Sequence, residues 1–247
     1  MQPCACGRNH FGGPGRRTFL GGAASVALGC ALAGMAPGPA QAADPVARTD
    51  LTPSQALQRL KEGNDNYRTD APFRGQQGRE RRIELARGQA PFCVLVGCSD
   101  SRVSPELLFG RGLGELFIVR NAGNTVDTAA LGSVEYGVGV LGCPLIVVLG
   151  HEACGAVSAA VDVVERDAAF PGVIGEMVQP IVPAVLEARR VGGGTLLERA
   201  VIANAKRVAK RLATQSPVLQ ETLRAGKLKI VPARYDLDDG NVDFFDS

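Results

Sequence analysis

Phe92-Cys93-Val94-Leu95-Val96-Gly97-Cys98-Ser99-Asp100-Ser101-Arg102 is the stretch whose reading decides the fold. After Pro91 come six residues that are apolar or glycine, too few for a helix and with no polar alternation. Such a run reads as a strand buried on both faces. It ends abruptly in polar chemistry: a cysteine, an aspartate two residues on, and an arginine two further. Leu145-Ile146-Val147-Val148-Leu149 has the same character and runs into Gly150-His151-Glu152-Ala153-Cys154-Gly155. Leu116-Phe117-Ile118-Val119 is a third such run. Between and after them the apolar residues recur at helical spacing. Short apolar strands separated by helices predict an α/β fold, with a central mostly parallel sheet flanked by helices.

Outward from these strands, residues 53–67 read as a helix opened by Thr52-Pro53, with Ala56, Leu57, Leu60 and Tyr67 as its apolar positions. Residues 68–78 read as an irregular linker, and residues 80–87 as a short helix stopped at Gly88. Residues 105–109 form a helical piece. Residues 127–141 read as a helix with Leu131, Val134, Tyr136 and Val138 as its apolar positions. Further helices are expected over 155–166, over 173–190 with a division at Pro180 and Pro183, over 195–213 and over 217–224. Residues 228–231 read as a strand, and 242–245 as a partner for it through an Asp239-Gly240 turn. There is no internal repeat, low-complexity tract or heptad seam.

The beginning of the chain reads differently. Residues 1–43 hold Arg8, Arg16 and Arg17 and no acidic residue. A mild Ala/Gly-rich apolar stretch follows to Met35, then Pro37 and Pro39, then Ala40-Gln41-Ala42. That order of charged region, apolar region and small-residue processing site reads as a cleaved leader, and the paired arginines resemble a twin-arginine export signal. The run is too short and glycine-rich for a membrane span. The expectation is export to the periplasm or beyond, with no stable membrane association after processing. Ala27-Leu28-Gly29-Cys30 only weakly resembles a lipoprotein site, and Cys4, Cys6 and His10 are assigned to the leader.

Residues 44–247 are then a single domain of 204 residues. They carry 24 basic and 25 acidic residues, a formal charge of −1, whereas the whole chain is at +2. Nothing there favours nucleic acid as a partner. Seven cysteines in 247 residues are too few for a small disulfide scaffold.

Four cysteines and one histidine remain outside the leader. Cys98 follows one strand, His151 follows another after Gly150, and Cys154 lies three residues beyond. Parallel sheets gather ligands where the chain leaves the strand ends, so these distant residues can meet. Two thiolates and one imidazole suit zinc, and three protein ligands leave a tetrahedral position open, as in catalytic rather than structural sites. Gly155 reads as the tight turn into the next helix. Cys93 and Cys143, in or beside apolar runs, read as small core residues. Asp100 can reach the metal or its water, and Arg102 can hold that carboxylate with both nitrogens and keep it ionised. The plainer reading of the pair is a helix-capping aspartate beside a surface arginine.

Gly97-Cys98-Ser99-Asp100-Ser101-Arg102-Val103 together with Gly150-His151-Glu152-Ala153-Cys154-Gly155-Ala156 resembles the β-class carbonic anhydrase family. The stretch from Gly114 through Arg120, Asn121 and Gly123 to Asn124 is similar to it too, as are Gly132-Ser133-Val134-Glu135-Tyr136, Tyr235-Asp236-Leu237 and Gly240-Asn241-Val242. The resemblance runs over about residues 85–245. It implies one zinc ion per chain, held by Cys98, His151 and Cys154, with Asp100 and Arg102 as a dyad beside the fourth position. It implies that Gln89 lines the carbon dioxide pocket, often across a dimer interface. It also implies that helix 53–67 is an N-terminal arm wrapping a second subunit, in a homodimer that can pair into a dimer of dimers. The implied reaction is reversible hydration of carbon dioxide to bicarbonate and a proton, by attack of zinc-bound hydroxide.

Carbon disulfide or carbonyl sulfide hydrolysis on the same scaffold is an alternative. So is a zinc- or bicarbonate-binding protein without turnover, against which Asp100, Arg102 and Gln89 speak. A thiol redox protein would be expected to show a Cys-x-x-Cys motif, and the chain has none. Glu152 stands where members usually have serine or threonine. Leu95 occupies the place of a tryptophan that some bacterial members use in a regulatory bicarbonate pocket, and the chain has no tryptophan. That pocket is not expected here in its usual form. With His151 on the metal, no other histidine of residues 44–247 is left to shuttle protons.

Overall fold

The computed structural model of the chain describes residues 48–245. The expected leader, with its arginine pair, processing site and cysteines, lies outside the described residues. Among those described, the order is α1 (Pro53–Arg68), α2 (Arg79–Leu85), β1 (Cys93–Gly97), α3 (Pro105–Leu108), β2 (Leu116–Arg120), α4 (Thr128–Gly139), β3 (Leu145–His151), α5 (Gly155–Arg166), α6 (Ile174–Val178), α7 (Val182–Ala188), α8 (Leu196–Gln215), α9 (Pro217–Arg224), β4 (Lys229–Tyr235) and β5 (Val242–Phe244). Short 3₁₀ turns occupy Ala122–Asn124 and Gln179–Ile181.

Helix starts are set locally. Thr52 and Gln55 form a reciprocal capping box at α1, with Pro53 at the first position, and Thr195 and Glu198 repeat the box at α8. Asp127 caps α4 by accepting the Ala130 N–H at 2.8 Å. As expected, Pro180 and Pro183 divide the segment between α5 and α8, here into α6, a 3₁₀ turn and α7.

The sheet order is β2-β1-β3-β4-β5, with the first four strands parallel and β5 antiparallel to β4. Every residue of β1 and β3 is buried, which explains their unbroken apolar sequence. Cys93, Leu95, Leu145, Val147 and Leu149 face Ala56, Leu57 and Leu60 of α1 and Phe109. Val94, Val96, Ile146 and Val148 face Val134 and Val138 of α4 and Val208 and Leu212 of α8. Each such side chain contributes about 1.5–3 kcal/mol when fully buried, so the sheet is held from both faces. A third cluster joins Val157, Val185 and Val201 of α5, α7 and α8, and includes Cys98 and Cys154. Buried Asn64 ties α1 to the last hairpin: its amide donates to Gly240 O at 2.8 Å and its carbonyl oxygen accepts the Val242 N–H at 2.9 Å. No helix among the described residues is long and apolar enough to cross a membrane.

The chain leaves β1 for β2 on one side and then returns to β3 on the other. The crevice beyond the ends of β1 and β3 is therefore the switch point of the sheet, where parallel α/β folds place ligands. Gly97 is in register with Leu149, so the two strand tips are level.

Three expectations are corrected. β3 runs on through His151, because Gly150 and His151 pair with Arg234 and Tyr235; the histidine is the last strand residue, not a loop residue. β4 passes through Pro232 to Tyr235. The Pro232 carbonyl accepts from Phe245 N–H at 2.9 Å, on the β5 side, so the missing proline donor costs the β3 ladder nothing. Of the apolar positions of α4, Tyr136 is 48% exposed, its ring tilted against Phe117 at 6.2 Å. The left-handed turn before α5 is made by Ala153, at φ 50°, while Gly155 is simply the first residue of the helix.

Candidate metal centre

Cys98 is the first residue after β1, His151 closes β3, and Cys154 is the N-cap of α5. All three are buried, and their ligand atoms lie within 4.8 Å of one another. The two sulfurs are 4.0 Å apart, about twice the length of a disulfide bond, and both cysteines are free. Cys98 Sγ accepts the Gly123 N–H at 3.2 Å. Gly123 has φ 65°, and a Cβ there would lie 2.7 Å from Ile181 Cδ1 and 3.0 Å from Ala156 Cβ. Only glycine lets this backbone amide reach the sulfur. Buried Asn204 donates to the Gly123 carbonyl at 2.9 Å and holds the turn from behind.

His151 Nδ1 lies 2.8 Å from the Glu152 carbonyl oxygen. A carbonyl only accepts, so Nδ1 carries the proton and Nε2 presents a free lone pair. That Nε2 is buried and has no hydrogen-bond partner. Leaving it so costs about 1–3 kcal/mol, a cost removed if the lone pair binds a metal beside two sulfurs. The donor set fits zinc with one position open.

The sulfurs do not share protons evenly. The Cys98 thiol is lowered to about 4, first by its hydrogen bond with Cys154 and then, against burial, by His151 and the Gly123 amide. Cys154 is pushed far up by that same hydrogen bond and by burial, while the first amides of α5 pull the other way. A divalent cation in place of the shared proton satisfies both sulfurs.

Asp100 stands beside this cluster. Arg102 grips it with Nε on Oδ1 at 2.9 Å and Nη2 on Oδ2 at 2.7 Å, and the Arg102 backbone N–H adds 2.9 Å to Oδ1. That side-chain pairing, above all, holds the carboxyl far below the usual range despite partial burial. Asp100 Oδ2 is 3.8 Å from His151 Nε2. The plainer reading as a helix cap fails, since the N-cap of α3 is Ser104.

Arg120 is a site residue that sequence reasoning missed. Its Nε donates to Cys98 O and its Nη2 to Asp100 O, both at 2.7 Å. Arg102 Nη2 also reaches Ala153 O at 3.3 Å. Two guanidinium groups thus tie the tips of β1 and β2 and the His151–Cys154 turn together. The available signal was position: Arg120 ends the strand beside β1, two residues before the turn that holds Gly123. Glu152 fixes the same turn from the other side, its N–H donating to Tyr235 O at 2.8 Å and its Oε2 accepting the Leu237 N–H at 3.1 Å. Gln89 is exposed and lies before the start of β1, at the end of that strand opposite Cys98, so the single chain does not place it beside the cluster.

A parallel sheet carrying two cysteines and a histidine at its switch point, with an arginine-held aspartate alongside, defines a zinc-binding α/β protein. A family model described as carbonic anhydrase matches residues 93–242. Carbonic anhydrase 2 of Mycobacterium tuberculosis (strain CDC 1551 / Oshkosh) is 41% identical over 194 residues, covering 77% of this chain and 92% of that protein. A carbonic anhydrase of Mycolicibacterium smegmatis is 40% identical with the same coverage, 77% and 92%. Among solved structures, a tetrameric β-carbonic anhydrase of the ascomycete Sordaria macrospora matches with TM-score 0.60 at 26% identity, over 67% of this chain and 86% of that one. The chain belongs to the β-carbonic anhydrase family.

Proposed function

We propose that this chain hydrates carbon dioxide reversibly to bicarbonate and a proton, with one zinc ion held by Cys98, His151 and Cys154. The observation that carries this is the buried lone pair of His151 Nε2, without a hydrogen-bond partner, next to two free sulfurs. Zinc bound there would act as a Lewis acid and make water nucleophilic near neutral pH. Asp100, ionised and gripped by Arg102, can only accept a hydrogen bond. It takes one from the attacking water and turns a lone pair toward the carbon of the substrate. Arg120 keeps the backbone of Cys98 and Asp100 in place for that geometry. His151 is the only histidine of residues 44–247, so the proton leaves through water and external buffer, and turnover rises with buffer concentration.

Stopped-flow hydration before and after chelation, with metal counted per chain, tests the reading. Stoichiometric zinc, loss of activity on its removal and recovery on its return are expected. Full activity without stoichiometric zinc would overturn it.

The assembly proposed is a homodimer, able to pair into a dimer of dimers, in which Gln89 serves the pocket of a second subunit. Its exposed position and the tetrameric Sordaria enzymes support this, and sedimentation checks it. Residues 1–43 are proposed as a twin-arginine export leader, on the order of their charged, apolar and small residues. N-terminal sequencing of the exported protein and Arg16→Lys/Arg17→Lys, which should block export, check that.

A further inference from the structure

Outside the metal centre, a cavity of about 390 Å³ is lined by Arg59, Arg74, Arg81, Arg111 and Glu115. We propose that it is a binding site for a phosphate-type oxyanion.

Its wall is built by close backbone contact. A Cβ on Gly112 would lie 2.4 Å from Gln76 N, and one on Gly75 would lie 2.8 Å from Gly112 N. Leu113 N–H donates to Gln76 O at 2.9 Å. The irregular segment after α1 is therefore laid against residues 110–113 in a way only glycines permit, and this brings Arg74 to the same cavity as Arg111.

Three of the guanidinium groups are held from behind. Arg111 Nε donates to Phe109 O at 2.7 Å, Arg81 Nε donates to Leu113 O at 3.0 Å, and Arg59 lies over the Phe92 ring at 5.3 Å. Forks fixed in this way keep their remaining N–H groups set for oxyanion geometry.

Compensating acid is scarce. Glu115 Oε1 serves both Arg59 at 3.1 Å and Arg111 at 3.7 Å, and its Oε2 already accepts the Gly112 N–H at 2.6 Å. Glu84 pairs Arg81 at 2.9 Å. Glu62, on α1, is hydrogen-bonded by Gln58 and does not line the cavity. Among the described residues Arg74 has no hydrogen bond or ion pair. Four guanidinium groups against Glu115, Glu84 and the more distant Glu62, which pulls on Arg111 through space, leave a formal +1 that an anion offsets. Burial first, with the Arg59 charge, disfavours the charged form of Arg111 against the pull of Glu115 and, less strongly, of Glu62.

Inorganic phosphate and a phosphomonoester present the same oxygens, so both are used as probes. The zinc-loaded full chain is titrated with inorganic phosphate, and separately with glycerol phosphate, at an ionic strength held constant with chloride. Saturable binding is expected, with Tm raised by about 5 °C at a hundredfold excess over Kd. Tighter binding of the ester assigns the site to organic phosphates, and equal or weaker binding to the inorganic ion. Arg74→Ala, at an exposed side chain, and Arg59→Gln should each weaken binding at least tenfold. Carbon dioxide hydration should be unchanged in Arg74→Ala. An anion sitting on zinc would not sense Arg74, so equal affinity in wild type and Arg74→Ala overturns the proposal, as does the absence of saturable binding.

Discussion

Cys93 and Cys98 lie at opposite ends of the same strand path and both are buried, yet they are different chemical objects. At the start of β1, the Cys93 S–H donates to Val94 O at 3.4 Å and the neighbouring Cys143 S–H to Pro91 O at 3.2 Å. Burial pushes Cys93 well up, with help from Cys143, and Cys143 up to about 12. At the tip, Cys98 meets the Gly123 N–H, and Cys154 meets the first amides of α5. Burial is common to both ends. The difference is that at the start of the strand burial outweighs the backbone amides near each sulfur, whereas at the tip Cys98 has Cys154 first, then His151 and the Gly123 amide, to favour its thiolate.

The contrast can be broken most forcefully at the tip. Cys154→Ala or His151→Ala should abolish zinc retention and lower kcat/KM by more than about 10³-fold; a variant that keeps both zinc and activity would end the assignment. Asp100→Asn removes the acceptor while sparing the ligands. It should keep zinc and lose about 10²-fold in kcat, measured beside metal content.

The unequal protons give a pH test. The Cys98 thiol is lowered chiefly by its hydrogen bond with Cys154, while that bond and burial raise Cys154, which must lose a proton to bind metal. Zinc affinity of the chelated protein should therefore rise about tenfold per pH unit between pH 7 and 9, with about one proton released per zinc. A slope of two protons would show that the sulfurs do not share one as described.

Glu152→Ala frees the turn behind His151 and should weaken zinc about tenfold, read by competition with a chelator. The smallest effect sharpens the other end: Cys93→Ala or Cys143→Ala should cost about 1 kcal/mol of stability and leave zinc content unchanged.

The parts legible in the sequence were those whose cause is local. β1 and β3 showed because two-sided burial demands unbroken apolar residues. The two boundaries of α5 showed because a polar turn and Asp167, which takes a left-handed conformation, bracket its apolar stripe. The ligand set showed because two cysteines and a histidine at the tips of neighbouring parallel strands are a donor set before they are packing material. What stayed hidden was carried by backbone rather than by side-chain type. Gly123 contributes an amide, Glu152 a carbonyl, and Ala153, rather than a glycine, the left-handed turn. Arg120 acts through two carbonyls that become its partners only when β2 lies beside β1. The strand at 228–231 reads on through Pro232 because that residue faces β5, not β3.

The tie between Asn64 and the Gly240–Val242 hairpin spans 176 and 178 residues of chain. A nascent polypeptide cannot make it until residues 240–242 have left the ribosome, long after α1 has emerged. The first helix must wait, undocked at that joint, while the whole sheet and its covering helices are synthesised. Closure of the fold is thus a late event in the life of the new chain, and metal acquisition by the closed protein belongs to the interval after it.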